Sequence, residues 1–227
     1  MLRHATIVFD LDGTLVDTAP DLTNALNDVL VRRGHEAVQA ETIRACVGHG
    51  AKAMIEEALR RVGADGDLDR MLAEFLVHYE ANIAAESRAY PGAVAALECL
   101  VEKGATLAIC TNKREHLSRK LLQALDLTHY FAGLAGRDTF KVSKPHPGHL
   151  TRTIELAGGP PTAVMVGDSD IDVMTANAAG VPIVLARFGY GPAPKDGARA
   201  DAMIDCFDEL QGRVEQLLTA GTARRPA

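Results

Sequence analysis

Four short, continuous apolar runs constrain this chain more than any other feature: Thr6-Ile7-Val8-Phe9, Thr106-Leu107-Ala108-Ile109-Cys110, Ala163-Val164-Met165-Val166 and Pro182-Ile183-Val184-Leu185. Each has strand length, and the β-branched and aromatic residues that lead the first favour extended backbone. None alternates between apolar and polar, which marks strands buried on both faces. Helix-like stretches separate them, and strands alternating with helices build an α/β fold, a doubly wound parallel sheet. In such sheets ligands sit beyond the carboxyl ends of the strands. Chemistry is therefore expected in the residues that follow each run.

Residues 18–88 break the rhythm, reading as helix after helix with no convincing strand. Thr18 is the expected cap of the first helix, with Pro20 in its first turn, Asp21 three residues beyond the cap and Gly34 closing it. Further helices are expected over Glu41–Cys46, Gly50–Arg61 and Asp67–Ala85, before Pro91-Gly92 restarts the α/β pattern. The expected organisation is an α/β core of residues 1–17 and 89–219, Rossmann-like, with an inserted all-helical cap domain of residues 18–88. Residues 220–227 lack apolar content and are expected to form a flexible tail.

Composition excludes several classes of partner. The chain of 227 residues has 24 Lys plus Arg against 30 Asp plus Glu, a net charge of −6, with 4% aromatics and no Trp. It thus has neither the basic footprint nor the stacking platforms of a nucleic-acid binder. The longest apolar runs, Ala163–Gly167 and Val181–Ala186, are far shorter than the ~20 residues a spanning helix needs, so no membrane partner is expected. The N-terminus runs directly into the first strand without a signal-type apolar region. Cys46, Cys99, Cys110 and Cys206 form no C-x-x-C pair and sit among apolar neighbours. Reduced, inert thiols in a cytoplasmic protein are the expectation.

The strand ends are chemically rich. In Asp10-Leu11-Asp12-Gly13-Thr14 two carboxylates two residues apart point to the same side of an extended segment, and Gly13 lets the chain turn at once. A cation or a shared proton must offset their repulsion. Thr111 and Asn112 offer a hydroxyl, an amide and a helix N-terminus to phosphate oxygens. Lys144, stiffened by Pro145 and Pro147, is a positioned cation. Gly167-Asp168-Ser169-Asp170-Ile171-Asp172 is an acidic cluster suited to a hard divalent cation. Each fragment alone also reads as a cap, a turn or a solvated charge. His146-x-x-His149 has the spacing of a zinc pair but no third soft ligand nearby, and is read as structural.

These four fragments, in this order, resemble the motifs of the haloacid dehalogenase superfamily of phosphatases, and the similarity spans almost the whole chain. Its phosphoglycolate phosphatase branch is the most similar in wording, through the stretch from Phe9 to Asp21, Val47-Gly48-His49-Gly50, Tyr90-Pro91-Gly92, Thr111-Asn112-Lys113 and Lys144-Pro145-His146-Pro147. The resemblance implies a phosphate monoester hydrolase whose nucleophile is Asp10 and whose acid and base is Asp12. It implies Mg²⁺ held by Asp10, the backbone carbonyl of Asp12, and Asp168, with Asp172 and Ser169 behind them; Asp170 competes with Asp172 for that supporting role. Thr111, Asn112 and Lys144 would bind the phosphoryl oxygens.

An Asp at position 12 argues against the dehalogenases and the phosphonate-cleaving relatives, and Leu22 stands where the β-phosphoglucomutases carry a histidine. The implied substrate is a small anionic phosphate monoester, 2-phosphoglycolate first, with a sugar phosphate or nucleotide as the alternative. The cap loop Gly48, His49, Gly50 and Lys52, with Arg44 nearby, would read it. A phosphate-storing signalling domain is the rival from another class, and Asp12 argues against it, since such a switch needs no acid and base there. Oligomeric state is left open.

Overall fold

The computed structural model describes residues 2–191 and 199–223. Six parallel strands form the sheet: β1 (Thr6–Phe9), β4 (Thr106–Cys110), β5 (Gly133–Ala135), β6 (Ala163–Gly167), β7 (Ile183–Ala186) and β8 (Ala202–Ile204), in the order β5-β4-β1-β6-β7-β8. β1 is central, and after β5 the chain crosses back over it to β6, so the order reverses there. The register pairs Phe9 with Ile109 on one side and with Val166 on the other, which brings Asp10, Thr111 and Asp168 to one end of three adjacent strands.

All four residues of β1 are buried, as a strand covered on both faces requires. Alternate residues divide between two cores. Val8, Ala108 and Met165 pack under Leu150 and Ile154 of α7 (Pro147–Leu156) and Val173 and Ala176 of α8 (Asp170–Ala179). Ile7, Phe9, Ile109 and Val166 share the other core with Leu97 of α5 (Ala93–Glu102) and Leu210 and Val214 of α9 (Leu210–Ala223). α6 (Glu115–Ala124) follows β4. Of the tail expected from residue 220, residues 220–223 continue α9, and 224–227 lie outside the described residues.

Residues 18–88 carry four helices, α1 (Ala19–Val31), α2 (Ala40–Arg44), α3 (Ala51–Val62) and α4 (Leu68–Ala81). α1 buries Leu22, Ala25, Leu26, Val29 and Leu30, the one-face spacing of an amphipathic helix, and α1 and α3 both pack on α4. α4 answers with Met71, Phe75 and Tyr79, whose last two rings stack at 5.9 Å. It stops at Ala81, short of the expected Ala85, where the Asn82 side chain donates to the His78 carbonyl. Four strands are absent from the sequence reading: the edge strands β5 and β8 of the sheet, and β2 (Val16–Asp17) and β3 (Arg88–Ala89), which pair antiparallel where the helical segment leaves and rejoins the sheet. They are too short for any periodicity to reveal.

Beside this pair, the buried Asp21 carboxylate accepts from the backbone of Glu86 (3.0 and 3.1 Å) and from the backbone and hydroxyl of Ser87 (2.8 and 2.6 Å). No helix among the described residues is long and apolar enough to cross a membrane. The four cysteines are free thiols, as expected; Cys110 is buried, Cys46 and Cys99 are partly buried, and Cys206 is exposed despite its apolar sequence neighbours. Cys206 lies between β8 and the buried Phe207.

Candidate active site

Asp10 ends β1 with its backbone N–H bound to the Val166 carbonyl at 2.9 Å, so the central strand aims it at the switch point. The chain then turns sharply, with φ +83° at Gly13. A Cβ there would lie 2.6 Å from an Asp168 oxygen, so only glycine admits both the turn and the close approach of the β6 loop. Thr14 completes that contact, donating its hydroxyl to Asp168 Oδ1 at 2.8 Å.

Lys144 is buried between two carboxylates, its Nζ 2.9 Å from Asp10 Oδ1 and 2.6 Å from Asp172 Oδ1. Burial works against its charge, yet Asp10 and Asp172 outweigh burial and hold the ammonium well above the ordinary lysine value. Asp172 Oδ2 is committed as well, accepting from the backbone of Asp168 and Ser169 and from the Ser169 hydroxyl in a capping box at the start of α8. Asp172 therefore supports the loop from behind. Asp170 is outside the cluster, its Oδ1 accepting from the Ile171 backbone and lying 4.0 Å from His49.

Asp10, Asp168 and Asp172 are all buried, with one potential ligand oxygen from each within 4.8 Å of the others. Burial pushes Asp10 up to about 6 against the pull of Lys144, and burial together with Asp172 and Asp10 pushes Asp168 up to about 7. Asp10 Oδ1 has no hydrogen bond of good geometry among the described residues. Three carboxylates facing one ammonium leave negative charge that is costly to bury. An all-oxygen donor set of this kind fits a hard divalent cation.

Asp12 faces the other way, toward the helical segment. Its Oδ1 accepts from the Thr18 hydroxyl at 2.7 Å, so Thr18 serves this carboxylate and makes no side-chain cap to α1. Lys113 Nζ reaches both Asp12 oxygens, at 2.8 and 3.1 Å, and lies 4.5 Å above the Tyr79 ring. Burial opposes this charge too, but Asp12 and Tyr79 more than compensate, and the lysine stays well above its ordinary value. The sequence reading gave Lys113 no role, because its partner lies 101 residues away. Tyr190 was likewise missed: its N–H donates to Asp168 Oδ2 at 2.7 Å, and its hydroxyl bonds Asp17 and receives the Ala19 N–H.

Thr111 is buried at the end of β4, but α6 begins only at Glu115, so the expected helix N-terminus at Thr111-Asn112 is a turn. The Thr111 hydroxyl accepts from the Lys113 backbone at 3.3 Å. Asn112 donates to the carbonyls of Gly48 and Lys144, each at 3.1 Å, and ties the cap loop to the core. His146 caps α7, while His149 is turned into the core against the Gly136 carbonyl (3.1 Å) and Cys110 Sγ (3.6 Å). The two histidines face different partners and form no metal pair.

A cavity of about 510 Å³ opens beside Asp12 and Lys113, walled by α3, α4 and the loops after β4 and β5. Gly50 and Lys52 line it; His49 and Arg44 do not. His49 is exposed, and the Arg44 guanidinium lies 5.5 Å above the Tyr190 ring. Lys52 Nζ lies 3.3 Å from Asp69.

The sequence pattern of the haloacid dehalogenase-like hydrolases matches residues 7–186, a span that begins in β1 and ends with β7. The chain belongs to this family. Among its relatives, the phosphoglycolate phosphatase of Mesorhizobium japonicum is 49% identical over 96% of this chain and 97% of its own length. That of Agrobacterium fabrum is 42% identical over 95% of each. The crystal structure of a predicted phosphoglycolate phosphatase from Haemophilus somnus superposes with a TM-score of 0.86 at 27% identity, covering 94% of this chain and 99% of that one. The likeness covers the six-stranded sheet and the helical segment together, so this haloacid dehalogenase-like hydrolase shares both with its relatives.

Proposed function

We propose that this phosphatase hydrolyses 2-phosphoglycolate through an aspartyl-phosphate, under a helical cap of residues 18–88 set on a core of residues 1–17 and 89–219. The observation that carries the reading is the division of labour between two carboxylates of one turn: Asp10 faces Lys144 and the carboxylate cluster, Asp12 faces the cavity. The phosphoglycolate phosphatases similar over nearly the whole chain support the substrate.

In the first step an Asp10 oxygen attacks phosphorus, the ester P–O bond breaks, and Asp12 gives its proton to the departing glycolate oxygen. In the second, Asp12 takes a proton from water, the water oxygen attacks phosphorus, and the P–O bond to Asp10 breaks to release inorganic phosphate. Lys144, Thr111 and the Asn112 N–H hold the phosphoryl oxygens in both steps. Asp10, Asp168 and the Asp12 carbonyl would hold Mg²⁺, with Asp172 and Ser169 bracing the Asp168 loop. When bound there, the ion would supply positive charge against the phosphate and carboxylates.

A cavity of about 510 Å³ would also admit a sugar phosphate. The test is phosphate release with Mg²⁺ from 2-phosphoglycolate, sugar phosphates and nucleotides, with Asp10→Asn as control. The expected result is a kcat/KM for 2-phosphoglycolate that leads the panel, and no turnover by Asp10→Asn. A sugar phosphate or nucleotide in the lead overturns the substrate; an active Asp10→Asn overturns the mechanism.

A further inference from the structure

The reaction above uses Lys144 and leaves a second buried ammonium unexplained. Lys113 does not pair with Asp10, Asp168 or Asp172; it lies on Asp12, between the acid and the Tyr79 ring of α4, and lines the cavity. The cavity's charged lining is Lys52, Lys113, Arg114 and Arg137 against Asp12 and Asp138; with Lys52 paired to Asp69 outside it, three cations still face two carboxylates, an excess of positive charge suited to an anion beyond the phosphoryl group.

We propose that Lys113 is the specificity-determining residue that reads the carboxylate of a phosphorylated α-hydroxy acid while it stays paired with Asp12. The proposal rests on the phosphoglycolate reading and names the residue that reading lacks. In 2-phosphoglycolate one methylene separates the carboxylate from the ester oxygen. The group that protonates that oxygen and the group that binds the carboxylate must therefore be neighbours. Asp12 and Lys113 are neighbours, 2.8 Å apart.

An ammonium has three donors; the two Asp12 oxygens take two of them, and the third, on the side of Tyr79, is the one an incoming carboxylate would take. Thr18 also donates to Asp12 Oδ1, at 2.7 Å, so the acid keeps one partner when Lys113 shares its bonds. Burial sharpens the selection, because a carboxylate that gives up its water here must find a cation. Lys52, the cap-loop candidate, is half-exposed and already 3.3 Å from Asp69, so its charge is screened by solvent and by that partner.

The experiment compares kcat/KM for 2-phosphoglycolate and ethyl phosphate, which has the same ester and no carboxylate, in the full-length protein and in Lys113→Met. The ratio belongs to whatever fraction of each preparation is folded. Lys113→Met is expected to reduce the preference for 2-phosphoglycolate by roughly tenfold to a hundredfold, the loss of one charge-assisted hydrogen bond. A preference unchanged in Lys113→Met overturns the inference and leaves the phosphoglycolate reading standing. No preference in the unaltered protein overturns both. Should Lys113→Met fail to fold, 3-phosphonooxypropionate, longer by one methylene, tests the spacing in the unaltered protein. It is expected to lose at least tenfold in kcat/KM, and equal values overturn the inference.

Discussion

Lys144 and Lys113 show how two residues of one type acquire different work from their surroundings. Both are buried ammonium groups held charged by carboxylates, one between Asp10 and Asp172, the other on Asp12. Breaking a buried pair leaves an uncompensated charge, which costs about 3–5 kcal/mol. Lys144→Met is therefore expected to lower unfolding free energy by about that amount in denaturant titration, and, if Lys144 binds the phosphoryl group as proposed, to reduce turnover at least a hundredfold. A variant as stable and active as the parent would contradict the geometry. The sequence exposed Lys144 because two prolines hold it at a fixed place in a motif. It hid the role of Lys113, whose meaning comes from a carboxylate 101 residues away.

Among the elements, the helices of residues 18–88 were legible because their apolar residues recur on one face, as Leu22, Leu26 and Leu30 do in α1. Their ends were less so: α4 gives way at Asn82, whose side chain competes for the helix carbonyls, as short polar side chains do. The place of the junction with the sheet was legible, at residues 17–18 and 88–89, but the contacts that close it were not. Asp21 reads as a first-turn helix charge, yet its carboxylate clasps Glu86 and Ser87 across 65 and 66 residues of chain. Asp21→Ala would strand the Ser87 N–H and hydroxyl, each costing roughly 1–3 kcal/mol when buried and unpaired. The expected outcome is a lower melting temperature with faster proteolytic cleavage near residues 82–88. Equal cleavage rates in parent and variant would mean the clasp does not hold the two connections.

Across the whole molecule, the charge gathered at the sheet's carboxyl end ties stability to pH and to cations. Asp10 and Asp168 titrate near about 6 and about 7, above the ordinary value of 3.8. Between those values and 3.8 the folded chain binds protons that the unfolded chain does not, so these two groups add stability as pH falls through that window. A divalent cation requires the ionised forms, so it stabilises most above pH ~7 and least near pH ~5. Mg²⁺ is expected to raise the melting temperature at pH ~8, with a shift that shrinks toward pH ~5 and vanishes in Asp168→Asn. The same variant, with one fewer buried carboxylate, should melt higher than the parent in chelator. An equal Mg²⁺ shift at both pH values, or its persistence in Asp168→Asn, would place the cation elsewhere.

The sequence by itself determined the four inner strands of the sheet, the helical insertion and the residues at the strand ends; the three-residue edge strands β5 and β8 came only from the structure. Each is written locally: strand burial in a continuous apolar run, helix in a one-face period, Asp10, Thr111 and Asp168 immediately after or close behind those runs, and Lys144 in a loop stiffened by Pro145 and Pro147. Only the tertiary structure decided which of these groups meet. Register along β1 brought three strand ends level, and the packing of α4 over the turn enclosed Asp12 with Lys113 and Tyr79. Contacts of that kind depend on distance through space, which residue order does not carry.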